Sequence, residues 1–257
     1  MNTPGFVEVL FSLALVAIAI GLTLWWKIPV QKDMSFGSVR AFVQLVAVGY
    51  VLKYIFELES IALVFLAILI MITVGAHTAS GRVKKIKGTF VIAFAAIFIG
   101  SAITLAVLLL LNVITFEARY IIPLAGMIVA NSMNATTLTI NRITSDITAN
   151  RLAIETALSL GKNWRLATRT FQREAAIAGM ISVLNFMKTV GIVALPGAMT
   201  GMILAGAEPV KAVLFQIIVA YMLLSVVTIS TIVALELTVR KFFTPFHQLR
   251  LEGKQGL

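Results

Sequence analysis

One apolar stretch of the sequence carries a row of amide and hydroxyl side chains. Met127, Asn131, Asn134, Thr137 and Asn141 recur every three or four residues, so an α-helix would place them on one face. Amides without partners are costly in an apolar environment. The row predicts either the lining of a translocation path for a polar solute or hydrogen bonds that hold helices together.

A second apolar stretch contains one charged side chain, Lys188, which follows Asn185 by one helical turn. Charged residues inside membrane spans are rare and usually face a cavity. We therefore predict that Asn185 and Lys188 belong to the same translocation path. The alternative is that Lys188 lies close enough to the cytoplasmic interface for its ammonium group to reach it.

The same stretch continues to Pro196, Gly197 and Gly201. Proline removes a helical hydrogen bond and glycine loosens the backbone. This combination predicts a helix break or gate that moves during transport. Gly197 and Gly201 also form a G-x-x-x-G pair, which is typical of a close-packing helix surface.

The segment Glu155–Gly161 reads ETALSLG and has the form E-x-A-x-x-L-G. It resembles the coupling-helix loop of ABC-transporter permeases, in which a short helix fits a groove of the ATPase subunit. The resemblance implies that Glu155, Ala157, Leu160 and Gly161 contact an ATPase. An amphipathic helix suits such a groove, although it could instead lie on the bilayer and bind anionic lipid through its basic side chains.

Several motifs are absent from the sequence. It has no phosphate-binding loop of the form G-x-x-x-x-G-K-[ST] and no H-E-x-x-H pair, and its cysteine count is zero. No catalytic set is recognisable, so we predict that the chain is not an enzyme. The sequence does not identify a set of metal ligands.

The composition indicates a membrane protein, because 60% of the 257 residues are hydrophobic and only 12% are charged. Apolar stretches recur that can each cross a hydrocarbon core about 30 Å thick. We predict an all-α, polytopic membrane helix bundle of about seven transmembrane helices, forming a single permease domain over residues 1–257. The predicted spans are residues 6–26, 37–56, 61–80, 89–112, 120–141, 178–206 and 210–238.

The net charge of +10 reflects membrane topology rather than nucleic-acid binding, because most basic residues fall between the apolar spans. Only Lys53, Arg119 and Lys211 fall on the other side. The distribution predicts an N-terminus outside and a cytoplasmic C-terminus. The residues that define the cytoplasmic side are Lys27, Lys32, Arg40, Arg82, Lys84, Lys85, Lys87, Arg142, Arg151, Lys162, Arg165, Arg169, Arg173, Arg240, Lys241, Arg250 and Lys254.

Residues 142–177 form the longest stretch between predicted spans. Their apolar residues recur at helical spacing and their gaps are polar or basic. We predict a cytoplasmic amphipathic helical segment that is interrupted at Gly161, where one helix ends and another begins.

Four runs carry a wider resemblance, namely Val48–Phe56, Ile122–Ile128, Lys188–Gly201 and Pro209–Val213. Together they resemble the FetB (YbbM) family of bacterial ABC-transporter permeases, which is related to plant aluminium-tolerance proteins. The resemblance extends from residue 38 to residue 248. Asn185 departs from the pattern, because relatives can have an acidic residue there.

The resemblance implies a permease subunit in the inner (plasma) membrane that works by alternating access. It implies a homodimer that pairs with separate ATPase subunits. Those subunits, rather than this chain, would bind ATP and Mg, so no cofactor is expected here. It also implies metal export, with iron as the suggested substrate.

The chemistry of the spans leaves alternatives open. Fe(II) prefers histidine, carboxylate or thiolate ligands, whereas the spans offer mainly Asn, Thr and Met. One alternative is an ABC permease for a small solute that is not a metal. The other is a channel or secondary transporter that works without an ATPase.

Overall fold

The computed structural model describes residues 5–58, 60–83, 86 and 88–250, and every regular element within these ranges is a helix. Lys84, Lys85, Lys87 and Lys254, which contribute to the predicted orientation, lie outside the described residues. The helices are α1 (Phe6–Trp25), α2 (Gln31–Leu58), α3 (Ile61–Arg82), α4 (Thr89–Leu110), α5 (Ala118–Ala149), α6 (Arg151–Ser159), α7 (Trp164–Ala167), α8 (Arg169–Thr189), α9 (Gly197–Leu204) and α10 (Pro209–Lys241).

The chain divides into two compact units, residues 1–60 and residues 61–257. The first unit is the helix pair α1 and α2. Gln31 holds the turn between them, because its Nε2 donates to the carbonyl oxygens of Thr23 at 3.2 Å and Ile28 at 2.6 Å. The second unit contains the helices that carry all the predicted site residues.

Five of the described helices, α2, α3, α4, α5 and α10, are long and apolar enough to cross a membrane. Helix α1 has a shorter described apolar run, Phe11–Trp25. These findings confirm an all-helical membrane protein. The number of about seven crossings and the orientation of the termini stay predictions.

The predicted sixth span, residues 178–206, is not one continuous helix. Helix α8 begins earlier, at Arg169, and ends at Thr189, whereas Gly197–Leu204 forms the separate helix α9. Two features stop α8. Gly191 adopts a left-handed φ of 83°, and Pro196, in an extended conformation, is the N-cap of α9.

Helices α5 and α10 form the centre of the second unit. Buried side chains occur along most of α5, among them Ile128, Ala135 and Ile140. In α10, Val226 and Ala234 are fully buried. Helices α3, α4 and α8 pack around this pair.

Small residues allow these helices to approach closely. A Cβ atom on Gly75 of α3 would lie 3.1 Å from Val129 Cγ1 of α5, and one on Gly100 of α4 would lie 3.2 Å from Ser230 Cβ of α10. Lipid tails are as apolar as leucine, so membrane helices associate through close packing of this kind rather than through the hydrophobic effect.

Gly179 of α8 marks the tightest crossing among the described glycines. A Cβ atom there would overlap Thr139 Oγ1 of α5, and it would lie 2.9 Å from Thr231 Oγ1 of α10 and 3.2 Å from the carbonyl oxygen of Ala135. Thr139 Oγ1 donates to that same carbonyl at 2.8 Å. Its hydroxyl can therefore move aside only by breaking a hydrogen bond in a dry environment, which is costly.

Replacing Gly179 with alanine should lower the free energy of unfolding by about 1–3 kcal/mol, because the added methyl group overpacks three helices. The measurement is reversible unfolding in mixed detergent micelles. Gly126→Ala is the matched control, since a Cβ atom on this helical glycine meets nothing within 4 Å. Equal stability of the two variants would contradict the crossing.

Candidate functional site

Gly161 ends α6 with a turn that requires glycine. Its φ of 83° is left-handed, a conformation that costs other residues about 1–2 kcal/mol. The Gly161 N–H donates to the Leu158 carbonyl at 2.9 Å and the Lys162 N–H to the Ala157 carbonyl at 3.1 Å. This pair of bonds is the Schellman motif, and it reverses the chain from α6 towards α7.

Helix α6 has one buried and one exposed face. Ile154 is fully buried in an apolar cluster with Ile143 and Ile147 of α5 and Val239 of α10. The cluster also includes Ala175 and Phe242, and partly buried apolar residues, among them Ile86, Leu158, Trp164, Ala167, Phe171, Leu235, Phe243 and Leu249, pack against it. We call this the hinge cluster, and it fixes α6 to the membrane helices.

The opposite face of α6 presents apolar side chains that contact nothing in the second unit's core. Leu152 is 78% exposed and Leu160 is 76% exposed, and with Thr156 they are spaced four residues apart on one face. We call these three residues the exposed ridge. Glu155 lies beside it and forms an ion pair with Arg151 at 2.8 Å, and Ala157 is half-buried.

Helix α7 is attached to the end of α10. The rings of Trp164 and Phe243 stack with centroids 5.8 Å apart. Arg165 donates to Glu236 of α10 at 2.8 Å, and Arg240 binds the same carboxylate oxygen at 2.8 Å. A displacement of α6 and α7 would therefore move α10 directly.

An ion pair joins α5 to α8 at the same end of the bundle. Arg142 donates to Glu174 Oε2 at 2.7 Å and to Asp146 Oδ2 at 2.8 Å. We call this end, which also carries Glu236 and Arg240, the charged end. It is the end that the distribution of basic residues predicts to be cytoplasmic.

The ion pair and the Gly179 crossing show that α5 and α8 are antiparallel. Asn131 lies about three helical turns from Arg142, and Asn185 lies about three turns from Glu174 in the opposite sequence direction. Both asparagines therefore lie roughly 16 Å from the ion pair, on the same side of the α5–α8 contact. The structure thus places two residues from separate predicted spans at a similar distance from the ion pair.

Polar side chains line this side of the α5–α8 contact. Asn134, Asn185 and Lys188 are exposed and Asn131 is half-buried, with its Nδ2 donating to the Met127 carbonyl at 2.8 Å. We call these four residues the polar seam. Inside a membrane, amides and an ammonium group cannot face lipid without a large penalty, so we expect the seam to face water or another protein surface.

Two further members of the predicted row, Thr137 and Asn141, lie apart from the seam. Thr137 is half-buried, and its hydroxyl donates to the Met133 carbonyl at 2.8 Å. Asn141 is exposed and adjoins Arg142 at the charged end. The Thr137 hydroxyl therefore has its acceptor within α5. Asn141 lies at the charged end, where the predicted path would open to solvent.

The structure changes the premise of the alternative interpretation of Lys188. It assumed a span that begins near residue 178, whereas α8 begins at Arg169 and Lys188 lies in its last turn. The residue is about 21 Å along the helix from Glu174, too far for its side chain to reach the charged end. Lys188 forms no ion pair with any acid of the described residues.

The helix break begins closer to Lys188 than Pro196 and Gly197 suggested. The chain leaves α8 at Val190 and makes a tight turn in which the Gly191 N–H donates to the Ala194 carbonyl at 3.0 Å. Ile192 at the tip is 88% exposed. A Cβ atom on Gly197 or Gly201 would meet nothing within 4 Å, so within this chain the G-x-x-x-G pair makes no close helix contact.

Sequence reasoning missed the residues that connect these elements. The link from Trp164 to Phe243 joins positions far apart in the chain, and no local pattern indicates it. Gly179 did leave a signal, because Ala175 and Gly179 form a small-x-x-x-small pair of the kind that favours close helix packing.

The described residues contain no group of three or more His, Cys, Asp or Glu side chains that could hold a metal ion. The polar seam instead offers amides and an ammonium group. Amide oxygens are weak ligands for transition metals, and an ammonium group has no lone pair to donate.

A family model described as "Uncharacterised protein family (UPF0014)" matches residues 6–243. The chain belongs to the UPF0014 family. The match confirms the resemblance that the four sequence runs indicated, and it covers both units of the chain. No solved structure matches the chain.

Three relatives illustrate the family. The chain is 42% identical over 238 residues to "Probable iron export permease protein FetB" of Escherichia coli (strain K12), covering 93% of this chain and 92% of that protein. It is 39% identical over 245 residues to "UPF0014 membrane protein STAR2" of Oryza sativa subsp. japonica, covering 95% and 86%. It is 37% identical over 246 residues to "Protein ALUMINUM SENSITIVE 3" of Arabidopsis thaliana, covering 96% and 90%. This UPF0014 member is therefore a membrane protein whose relatives include a probable permease.

The turn at Gly161 generates a direct prediction. Gly161→Ala should accelerate amide hydrogen exchange at the end of α6 by about five- to tenfold, because the left-handed φ becomes strained. Exchange is measured by mass spectrometry on the chain in nanodiscs. Gly197→Ala is the control, since a Cβ atom there is equally unhindered but φ is not left-handed. Unchanged exchange in residues 151–167 of Gly161→Ala would contradict the assignment of the turn.

Proposed function

We propose that this UPF0014 protein is the membrane permease subunit of an ABC transporter, rather than an enzyme, and that it exports a metal ion by alternating access. A separate ATPase subunit supplies the energy. The observation that carries the proposal is the exposed ridge of α6, which ends in the glycine turn at Gly161 and is fixed to the bundle behind it. The relative named as a probable iron export permease supports iron as the metal.

The exposed ridge has the shape that docking on an ATPase requires. Leu152 and Leu160 offer apolar surface to a groove, and the turn at Gly161 takes the chain away from it. The hinge cluster and the Arg165–Glu236 ion pair connect the ridge to α5, α8 and α10. Movement of the ATPase would therefore be transmitted to the helices that carry the polar seam.

ATP and Mg belong to the partner in this proposal. The sequence of this chain has no phosphate-binding loop, so the nucleotide and its metal ion are held by the ATPase subunit. This chain supplies the docking surface and the path.

A homodimer explains how the polar seam is covered. Asn134, Asn185 and Lys188 are exposed in a single copy, and hydrocarbon cannot solvate them. Two copies that turn their seams towards each other would enclose a polar path between them. The break between α8 and α9, next to Lys188, provides a flexible point at which such a path could open and close.

The inner (plasma) membrane is the proposed location, with the charged end on the cytoplasmic side. This orientation follows from the excess of basic residues at that end. It also places the exposed ridge in the cytoplasm, where ATP is available to an ATPase.

The test is reconstitution of the chain with a candidate ATPase in liposomes, followed by measurement of ATP hydrolysis and of iron movement. Changing Leu152 and Leu160 to aspartate together should abolish both, because charged side chains cannot enter an apolar groove. Gly161→Pro should leave the ATPase bound but uncouple hydrolysis from transport, since proline cannot adopt a φ of 83°.

Phe246→Asp is the control, because Phe246 is 82% exposed and lies beyond α10 rather than on α6. This variant should retain coupled transport. Full coupled transport by the Leu152 and Leu160 double variant would contradict the docking role of α6. Transport by the chain alone, without an ATPase, would instead favour a channel or secondary transporter.

A further inference from the structure

The polar seam carries a positive charge without a compensating negative charge. Lys188 is its charged residue, and no carboxylate occurs in α5 between Ala118 and Asn141 or in α8 after Glu174. No acid of the described residues pairs with Lys188. The seam therefore carries a net positive charge that lies about 21 Å along α8 from the ion pair, a large part of a hydrocarbon core about 30 Å thick.

A bare metal cation would be repelled at this position. Coulombic repulsion between Lys188 and a divalent ion is strong where water is scarce. The seam provides no carboxylate, imidazole or thiolate to offset this repulsion. A cation loses hydration free energy when it leaves bulk water. In the seam only amide oxygens would offset that loss.

An anion with several oxygen atoms matches the same groups. The Lys188 ammonium group can donate charge-assisted hydrogen bonds to a carboxylate. The amide of Asn185 has two N–H donors, and Asn131 retains a second N–H beyond the one bound to Met127. Asn131 and Asn185 lie at the same depth, and Lys188 is one turn beyond Asn185 on the same helix.

We propose that the polar seam binds its cargo as an anion, so that a metal crosses as a negatively charged complex with an oxygen-rich carboxylate chelator. Lys188 recognises the charge of the chelator, and Asn131 and Asn185 bind its oxygen atoms. The metal keeps the ligands of its chelator and needs none from the protein. This inference rests on the proposed permease function and specifies its substrate class.

The test measures binding to the purified full chain in nanodiscs, without ATPase or nucleotide. The probes are the Ga(III)–citrate complex, which cannot be reduced, citrate alone, and Fe(II) without a chelator. We expect calorimetry to show that Ga(III)–citrate binds at least about tenfold more tightly than free Fe(II). Lys188→Glu should weaken the binding of the complex by at least about tenfold, while Lys188→Arg should stay within about threefold of the native chain.

Lys211→Glu is the matched control, because it makes the same charge change at an exposed lysine near the start of α10. It should leave binding unchanged. Lys188→Gln serves as a second variant that removes the charge without adding a negative one, should Lys188→Glu fail to fold. For the glutamine variant we expect a weaker but still clear loss of affinity.

Three results would overturn the inference. They are tighter binding of free Fe(II) than of the complex, unchanged affinity of the complex in both Lys188→Glu and Lys188→Gln, and no binding of the complex at about 1 mM. None of these results depends on ATP-driven transport. If the ATPase experiment fails, the binding measurement still tests this inference. If the binding measurement fails, the proposed docking through α6 is unaffected.

Discussion

The contact between α5 and α8 determines where every residue of the candidate path lies. Two interactions fix it, namely the Arg142–Glu174 ion pair at 2.7 Å and the crossing at Gly179. The ion-pair side chains are about half exposed, and exposed ion pairs contribute little to stability. Close packing at Gly179 and at its buried neighbours Ala175 and Val183 therefore stabilises this contact more than the ion pair does.

This register has a consequence for transport. It places Asn131 and Asn185 at about the same distance from the charged end and leaves Lys188 one turn further from it, in the last turn of α8. If α8 continued beyond Thr189, Lys188 and the apolar residues after it would lie on one regular helix that crosses the bilayer. Because α8 stops at Thr189, the polar seam lies beside a break in the backbone, where a small movement can change access.

In the proposed function the charged end has a different task, which is to transmit force. Its apolar hinge cluster surrounds Ile154, and its ion pairs join α7 to α10 through Glu236. The same elements leave the exposed ridge uncovered. A rigid attachment behind an exposed apolar face is the arrangement expected of a surface that receives a push from a partner.

Hydropathy predicted most of the fold, because an apolar run of about 20 residues has few alternatives to a membrane helix. It failed between residues 178 and 206, where the chain stays apolar through the break and hydropathy does not register the change of backbone. Helical spacing predicted a row of amides in α5. It could not show that Asn185 and Asn131 lie at a similar distance from the charged end, since that depends on the register of two helices. The stacking of Trp164 on Phe243 was equally invisible, because it joins distant positions.

The central claim is that the polar seam lines an aqueous path, and thiol accessibility tests it most directly. The native chain has no cysteine, so single cysteines can be placed at Asn134, at Asn185 and, as a lipid-facing control, at Val107 of α4, which is 48% exposed. A membrane-impermeant, negatively charged thiosulfonate reagent is then applied to the protein in sealed vesicles. The account predicts rapid modification at 134 and 185 and little at 107. Seam cysteines as unreactive as the one at 107 would contradict it.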